Sequence, residues 1–323
     1  MDYGRLIRDA WSMTRRHRFL WVLGLFTGTS AGTCSFSPSF QWQTGRGDFD
    51  GELPADVAGA FDALGGWITE NIALIVTALA LLLLLGLVFL IISVIAQGGM
   101  ARATADIARA RPTSHGVAWR AGLHLFWRYL GLWVLLLAAV VALTLVIAVV
   151  VLMGIVVYSA VGQSGRTALI VLGVILAFFA VLAWIPIAIL VNIIIAYAQR
   201  AIAIEDVGPI AALQAAAQLL RARLGDSLLV WLFSLALGIG SGIATAVAML
   251  ILLVPLVLSG IIFYLAAGFS APTIIYIVAA VLALIAAAWA LSAISNTYFW
   301  SYWTLAYLRL TGQSEQQAQG ETQ

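Results

Sequence analysis

The chain is 323 residues long, 63% hydrophobic and only 9% charged, with a mean hydropathy of +1.05 and a formal net charge of +2. A soluble domain carries about 25% charged residues, so an ordinary water-soluble fold is excluded and a polytopic membrane protein is indicated. The single cysteine, Cys34, excludes an intramolecular disulfide, and basic residues interleaved with apolar ones argue against nucleic-acid binding.

Residues 4–18 read as an amphipathic arm, with Leu6, Ala10, Met13 and His17 on one face and Arg8 and Arg15 opposite. The apolar run from Phe19 to Thr33 has fifteen residues. As a helix that is about 22 Å, short for a hydrocarbon core of about 30 Å. Charge nevertheless favours a full crossing. Without it, either the arginines before Phe19 or those after Gln97 would lie outside, against the positive-inside tendency. No cleavable leader is expected here.

Residues 34–67 are predicted to form an extracytoplasmic loop, acidic apart from Arg46, in which Pro54 could start a short helix. A second span runs from about Ile68 to Ala96 and leaves through Gln97-Gly-Gly-Met-Ala-Arg102. The second arm begins near His115, with Trp119, Leu123, Phe126 and Leu130 as its apolar face and Arg120, His124 and Arg128 beside it. Spans follow at about 129–161 and 167–198, the latter containing Pro186 and Asn192.

The third arm starts at Gly208. Its apolar face is Ile210, Leu213, Ala217, Leu220 and Leu224, flanked by Arg221 and Arg223. Such a stripe edged by arginine suits a helix lying at the headgroup layer. A fifth span with Pro255 and a sixth, Thr273 to Leu308, complete the membrane region, and Gly312 to Gln323 reads as a disordered polar tail. With six spans and both termini inside, only Arg46 and Arg166 of the sixteen arginines fall on the outer side.

The three arms begin at Gly4, Gly116 and Gly208, and the second span of each unit closes on Arg102, Arg200 or Arg309. The predicted fold is therefore all-α: one transmembrane domain over residues 1–312, followed by the tail at 313–323. Its six transmembrane helices form three parallel repeats (about 4–107, 116–206 and 208–312), each preceded by a cytoplasmic-side amphipathic interfacial helix.

This arm-plus-hairpin pattern, with the aromatic exit Tyr298-Phe-Trp-Ser-Tyr-Trp-Thr-Leu-Ala-Tyr-Leu-Arg309, resembles the membrane domain of bacterial glycerophosphodiester phosphodiesterases. It is also similar to the stand-alone YciC-like six-span membrane proteins. The resemblance covers roughly residues 1–312. In those phosphodiesterases the chemistry belongs to a separate soluble barrel with a metal-binding His/Glu set, which this chain does not match. The resemblance thus implies membrane architecture and no catalytic activity.

Residue by residue, little chemistry emerges. His17, His115 and His124 lie in or beside the arms without metal-ligand spacing, so no metal or cofactor is expected. Asp48-Phe-Asp-Gly-Glu52 lacks the further acids that a calcium loop needs. Ser241 has no intramembrane histidine to activate it, and Gly238 and Gly242 read as a close-packing GxxxG pair. No span centre carries an ionisable group, which weighs against ion-coupled transport.

Asn192 and Asn296 are the strongest intramembrane polar residues, structural or substrate-facing. The aromatics of the final exit read first as an interfacial belt. Arg120, His124, Arg128, Arg221 and Arg223 are the candidate lipid-headgroup residues, with membrane lipids, anionic ones above all, as candidate partners and a protein as a further candidate. The expectation is a non-enzymatic multi-pass protein of the bacterial inner membrane, a scaffold or accessory subunit. A lipid or amphiphile transporter is the alternative and a membrane enzyme the third reading.

Overall fold

The structure is a computed structural model that describes residues 2–28, 69–268 and 270–312. The helices are α1 (Tyr3–Arg16), α2 (Phe19–Phe26), α3 (Ile72–Ala108), α4 (His115–Ala160), α5 (Gln163–Glu205), α6 (Pro209–Ala222), α7 (Leu224–Ala267) and α8 (Ala271–Leu310). Among the described residues five helices, α3, α4, α5, α7 and α8, are long and apolar enough to cross a membrane. The short first apolar run is helical from Phe19 to Phe26, and its remainder beyond Gly28 lies outside the described residues. So do the loop at 34–67 and the tail at 313–323.

Helix starts follow local chemistry. The Asp2 side chain accepts the Arg5 backbone N–H at 3.0 Å, capping α1. Gly208 precedes Pro209 at the opening of α6, where a proline costs no hydrogen bond. Asp206 takes a left-handed conformation (φ 57°) that stops α5 and turns the chain into α6. Pro186 and Pro255 lie inside α5 and α7, which run on past them.

The chain divides into two units. In residues 35–92 the described part is the first half of α3, from Ile72, where almost every side chain is exposed. The other unit comprises residues 1–34 and 93–323 and holds the core. Burial there is concentrated at one end of the long helices. The most apolar window of each candidate span has no buried residue. An apolar surface of that extent belongs in lipid, because water would not tolerate it. α4 alone has 46 residues. At 1.5 Å per residue it is about 69 Å long, more than twice the hydrocarbon thickness, so part of it stands beyond the bilayer.

The core brings together the final turns of α3, α5 and α8. The Thr104 and Thr304 hydroxyls are 3.1 Å apart, Arg102 donates to the Ala203 carbonyl at 3.0 Å, and the Tyr307 hydroxyl donates to Glu205 at 2.6 Å. Around these ends lie α1 and α2, packed on α8; the first turns of α4, packed on the end of α3; and α6, packed on α5. From Asn296 to Leu308 every residue of α8 is buried. The aromatic exit is thus core rather than an interfacial belt: Trp300, Tyr302 and Trp303 are fully enclosed, and a helix apolar on all sides buries all sides.

Two of the three arms meet this core on faces that differ from the apolar stripes of the sequence. In α1 the expected face holds, with Leu6, Ala10 and Met13 buried and His17 half-buried. In α4 the buried line is Ala118, Gly122, Leu125 and Tyr129, one residue behind the expected one and so turned by about 100°. Leu123 is 50% exposed. In α6 Ala212, Ala216 and Leu220 are buried, while Ile210 is 62% exposed and Leu224 is exposed as well.

The cause in α4 is backbone proximity. A Cβ on Gly99 would stand 2.6 Å from the Ala118 carbonyl oxygen, and one on Gly122 would overlap the Ile95 carbonyl. Where the two backbones meet, at Ala118 and Gly122, only small residues fit, so Trp119 and Leu123 are turned off the contact, while Leu125 and Tyr129 are buried further along the line. Gly238 and Gly242 do not form the expected contact: a Cβ at Gly242 meets nothing within 4 Å.

Candidate functional site

Two of the candidate headgroup residues converge on one carboxylate. Arg128 donates both to the side chain of Asp206, in a very short contact, and to its main-chain carbonyl. His124 Nδ1 lies 4.0 Å from the same carboxylate. Arg102, on the end of α3, joins His124 and Asp206 around a small recess of about 200 Å³. The left-handed turn at Asp206 aims its side chain back at α4, so the α5–α6 corner is tied to the second arm. Arg120 on the same helix is exposed. Arg221 and Arg223 sit at the α6–α7 junction, Arg221 exposed and Arg223 4.0 Å from Asp226.

The two asparagines have separate roles. Asn296 donates to the Gly24 carbonyl at 3.0 Å, next to a Thr297 hydroxyl bond to the Leu20 carbonyl at 3.2 Å, and together these hold α2 against α8. A side chain on Gly24 would overlap Thr297, which explains the glycine. Asn192 is half-buried, and among the described residues its carbonyl oxygen has no hydrogen-bond partner.

Three further features were not among the candidate sites read from the sequence. The first is a cavity of about 400 Å³ bounded by α1, the end of α3 and the end of α8. Arg16, His17, Arg109 and Arg309 line it with Asp9 as the acid, over a floor of apolar side chains. Arg309 holds Asp9 at 2.5 Å. Burial depresses the Arg109 pKa, and repulsion from Arg111 and Arg102 depresses it further. The second is an apolar lateral groove of about 610 Å³ between α1, α7 and α8, with Trp11, Ser241, Thr245 and Tyr298 in its walls. Neither asparagine nor either intrahelical proline lines it.

The third feature is Arg200, fully buried beneath the aromatic exit. Its guanidinium stands 4.3 Å over the Trp300 ring and donates to the Ala196 carbonyl and to Gln199. Among the described residues its Nε and Nη2, and the indole nitrogens of Trp300 and Trp303, have no hydrogen-bond partner. A visible signal did exist for Arg16, Arg109 and Arg309. Each lies where an arm or a span ends, but their convergence depends on how three segments far apart in the chain pack.

At the start of α1, the Tyr3 hydroxyl donates to Asp226 at 3.1 Å; burial chiefly, and that carboxylate in addition, raise its pKa. The Arg5 backbone N–H is the main cause that lowers the pKa of the exposed Asp2. Among the described residues no group of three or more His, Cys, Asp or Glu stands close enough to hold a metal ion.

The model of a family of unknown function, DUF7544, matches residues 11–314. The chain belongs to DUF7544. The match runs from within α1 to just past α8, so it takes in both the arms and the buried helix ends. No curated protein and no solved structure matches the chain. DUF7544 membership assigns neither an activity nor a ligand.

Proposed function

We propose that this DUF7544 protein is a non-enzymatic multi-pass protein of the bacterial inner membrane, acting as a lipid-associated scaffold or accessory subunit. In this reading six spans form three parallel repeats and both termini are cytoplasmic. The observation that carries it is the division of labour along the helices. The protein buries its core at one end, where the arms grip the helix ends, and leaves the apolar lengths of the spans open to lipid or to another membrane protein. Each arm packs on the closing helix of a different hairpin: α1 and α2 on α8, the start of α4 on α3, and α6 on α5. That head-to-tail order supports a repeat. Fourteen of the sixteen arginines would then lie on the core side, which supports its placement in the cytoplasm.

Native mass spectrometry of the gently extracted protein tests this reading. A protein retained at fixed stoichiometry establishes an accessory subunit. A retained stoichiometric lipid, lost on combined replacement of Arg120 and Arg128 by glutamine, establishes lipid association through the second arm. A bare monomer retaining neither refutes the proposal. The lateral groove favours a second reading, transport of a lipid or amphiphile. In that case Ala244→Trp, which fills the groove, should abolish movement of a fluorescent lipid across proteoliposomes that the unaltered protein supports.

A further inference from the structure

We propose that the lateral groove between α1, α7 and α8 seats one acyl chain of an ester-linked membrane lipid, whose carbonyl accepts a hydrogen bond from the Tyr298 hydroxyl. The groove, of about 610 Å³, has the size of a small-molecule site. On α7 it is lined by Ala236, Gly240 and Ala244, spaced four residues apart and so aligned on one side of the helix. None of the three extends beyond Cβ, and a Cβ built on Gly240 meets nothing within 4 Å. From Ala236 to Ala244 this apolar furrow runs about 12 Å along the helix, the direction in which an acyl chain lies in a bilayer.

Tyr298 is the feature that points to a ligand. Its side chain is only 9% exposed, yet among the described residues its hydroxyl bonds to no protein acceptor. Trp11 meets the ring edge-on at 6.0 Å and Phe299 does so at 5.6 Å, which fixes the phenol in the groove wall. A buried donor in an apolar groove gains from any ligand that brings an acceptor. Depth selects which acceptor. Of the groove residues on α8, Tyr298 is nearest the buried core, and Trp11 beside it is 54% exposed, as suits an indole at the headgroup boundary. From there the groove passes Ile294 and Leu291 toward the middle of the span. The ester level of a diacyl lipid thus falls beside Tyr298, and its hydrocarbon falls along the furrow.

This site rests on the lipid-associated reading above, but not on the arginines of the second arm, so it is tested with a lipid that has no net charge. Native mass spectrometry of the full-length protein in neutral detergent measures one-to-one binding of dioleoyl phosphatidylcholine and of its dialkyl ether analogue, which lacks the carbonyls. The ester lipid should bind about fivefold more tightly, the net worth of one neutral hydrogen bond. Tyr298→Phe keeps the ring against Trp11 and should erase that preference while leaving ether binding unchanged. Gly240→Leu projects into the furrow from an open position on a helix that leucine favours, and should remove both adducts from a folded protein.

Equal binding of ester and ether lipid by the unaltered protein overturns the proposal, as does a Tyr298→Phe loss shared by both lipids. So does an adduct indifferent to Gly240→Leu. If such an adduct is lost instead on replacing Arg120 and Arg128, the lipid-associated reading stands and the groove site falls. An adduct that needs Gly240 and survives those replacements supports the groove site and removes the second arm as the lipid holder. No adduct with either lipid overturns both.

Discussion

Replacing Gly122 by alanine tests the central claim about packing, because it adds one carbon where two helix backbones touch. The new Cβ would overlap the Ile95 carbonyl oxygen and lie 3.0 Å from both the Ile95 carbonyl carbon and its Cγ2. Ordinary carbon contacts fall at 3.5–4.0 Å. The obstacle is backbone rather than a flexible side-chain end, so α4 and α3 must separate by roughly an ångström. A gap of that order forfeits up to half the dispersion between the facing surfaces, here Ala118, Leu125 and Tyr129 against residues 95–99. Together with overpacking strain, the cost is about 2–4 kcal/mol.

The assay is thermal denaturation in detergent followed by intrinsic fluorescence, for which the chain supplies twelve tryptophans. Gly154→Ala is the control. It also lies inside α4 but has nothing within 4 Å, so the better helix propensity of alanine should leave stability unchanged or raise it by up to about 1 kcal/mol. A Gly122→Ala protein as stable as the Gly154→Ala control would refute the close approach of α3 and α4.

Two further predictions concern polar contacts in and around the core. Tyr307→Phe deletes the 2.6 Å hydrogen bond to Glu205 while keeping the ring packed beside Tyr197, so it should cost about 1–3 kcal/mol in the same thermal assay. Glu205→Gln should recover part of that loss in the double variant, and independent, additive effects would show that the two groups do not interact. The raised pKa of Tyr3 makes its contribution to stability complete below its ordinary value of 10.0 and lost as pH rises through the folded value. Above pH 10 the unaltered protein should therefore lose thermal stability faster than Tyr3→Phe, and parallel curves would exclude a role for the Tyr3–Asp226 bond.

The helical class was legible because a chain that is 63% hydrophobic has few other ways to satisfy its backbone in lipid. The arms were legible too, as amphipathic segments ahead of long apolar runs. Their orientation was not. A hydrophobic stripe in a soluble helix marks the buried face, because water is the only alternative. At a membrane surface the alternative is lipid, and large apolar side chains such as Leu123, Trp127 and Ile210 gain as much from facing outward. The protein–protein face is then set where backbones approach, and the small residues Ala118, Gly122, Ala212 and Ala216 mark it beside the larger Leu125, Tyr129 and Leu220. Only α1, whose stripe combines small and large residues, was correctly read from hydrophobicity alone.

The same reasoning explains why the cavity escaped notice while the stripe on α4 did not. Arg120, His124 and Arg128 recur at helical spacing and so announce themselves in one segment, yet Arg128 and His124 turn to Asp206 and lock the α5–α6 corner. Arg16, Arg109 and Arg309 share no local pattern. What unites them is that the core is built from chain ends: the end of α1, the end of α3 and the end of α8. A helix that emerges from a membrane needs polar residues where it stops, and cations suit its C-terminal carbonyls. Gathering several such ends in one core concentrates those cations around a shared space. Among the described residues Asp9 is the acid lining that space, and it is held by Arg309. A fold of this kind thus gathers around one cavity residues whose local role is to end helices.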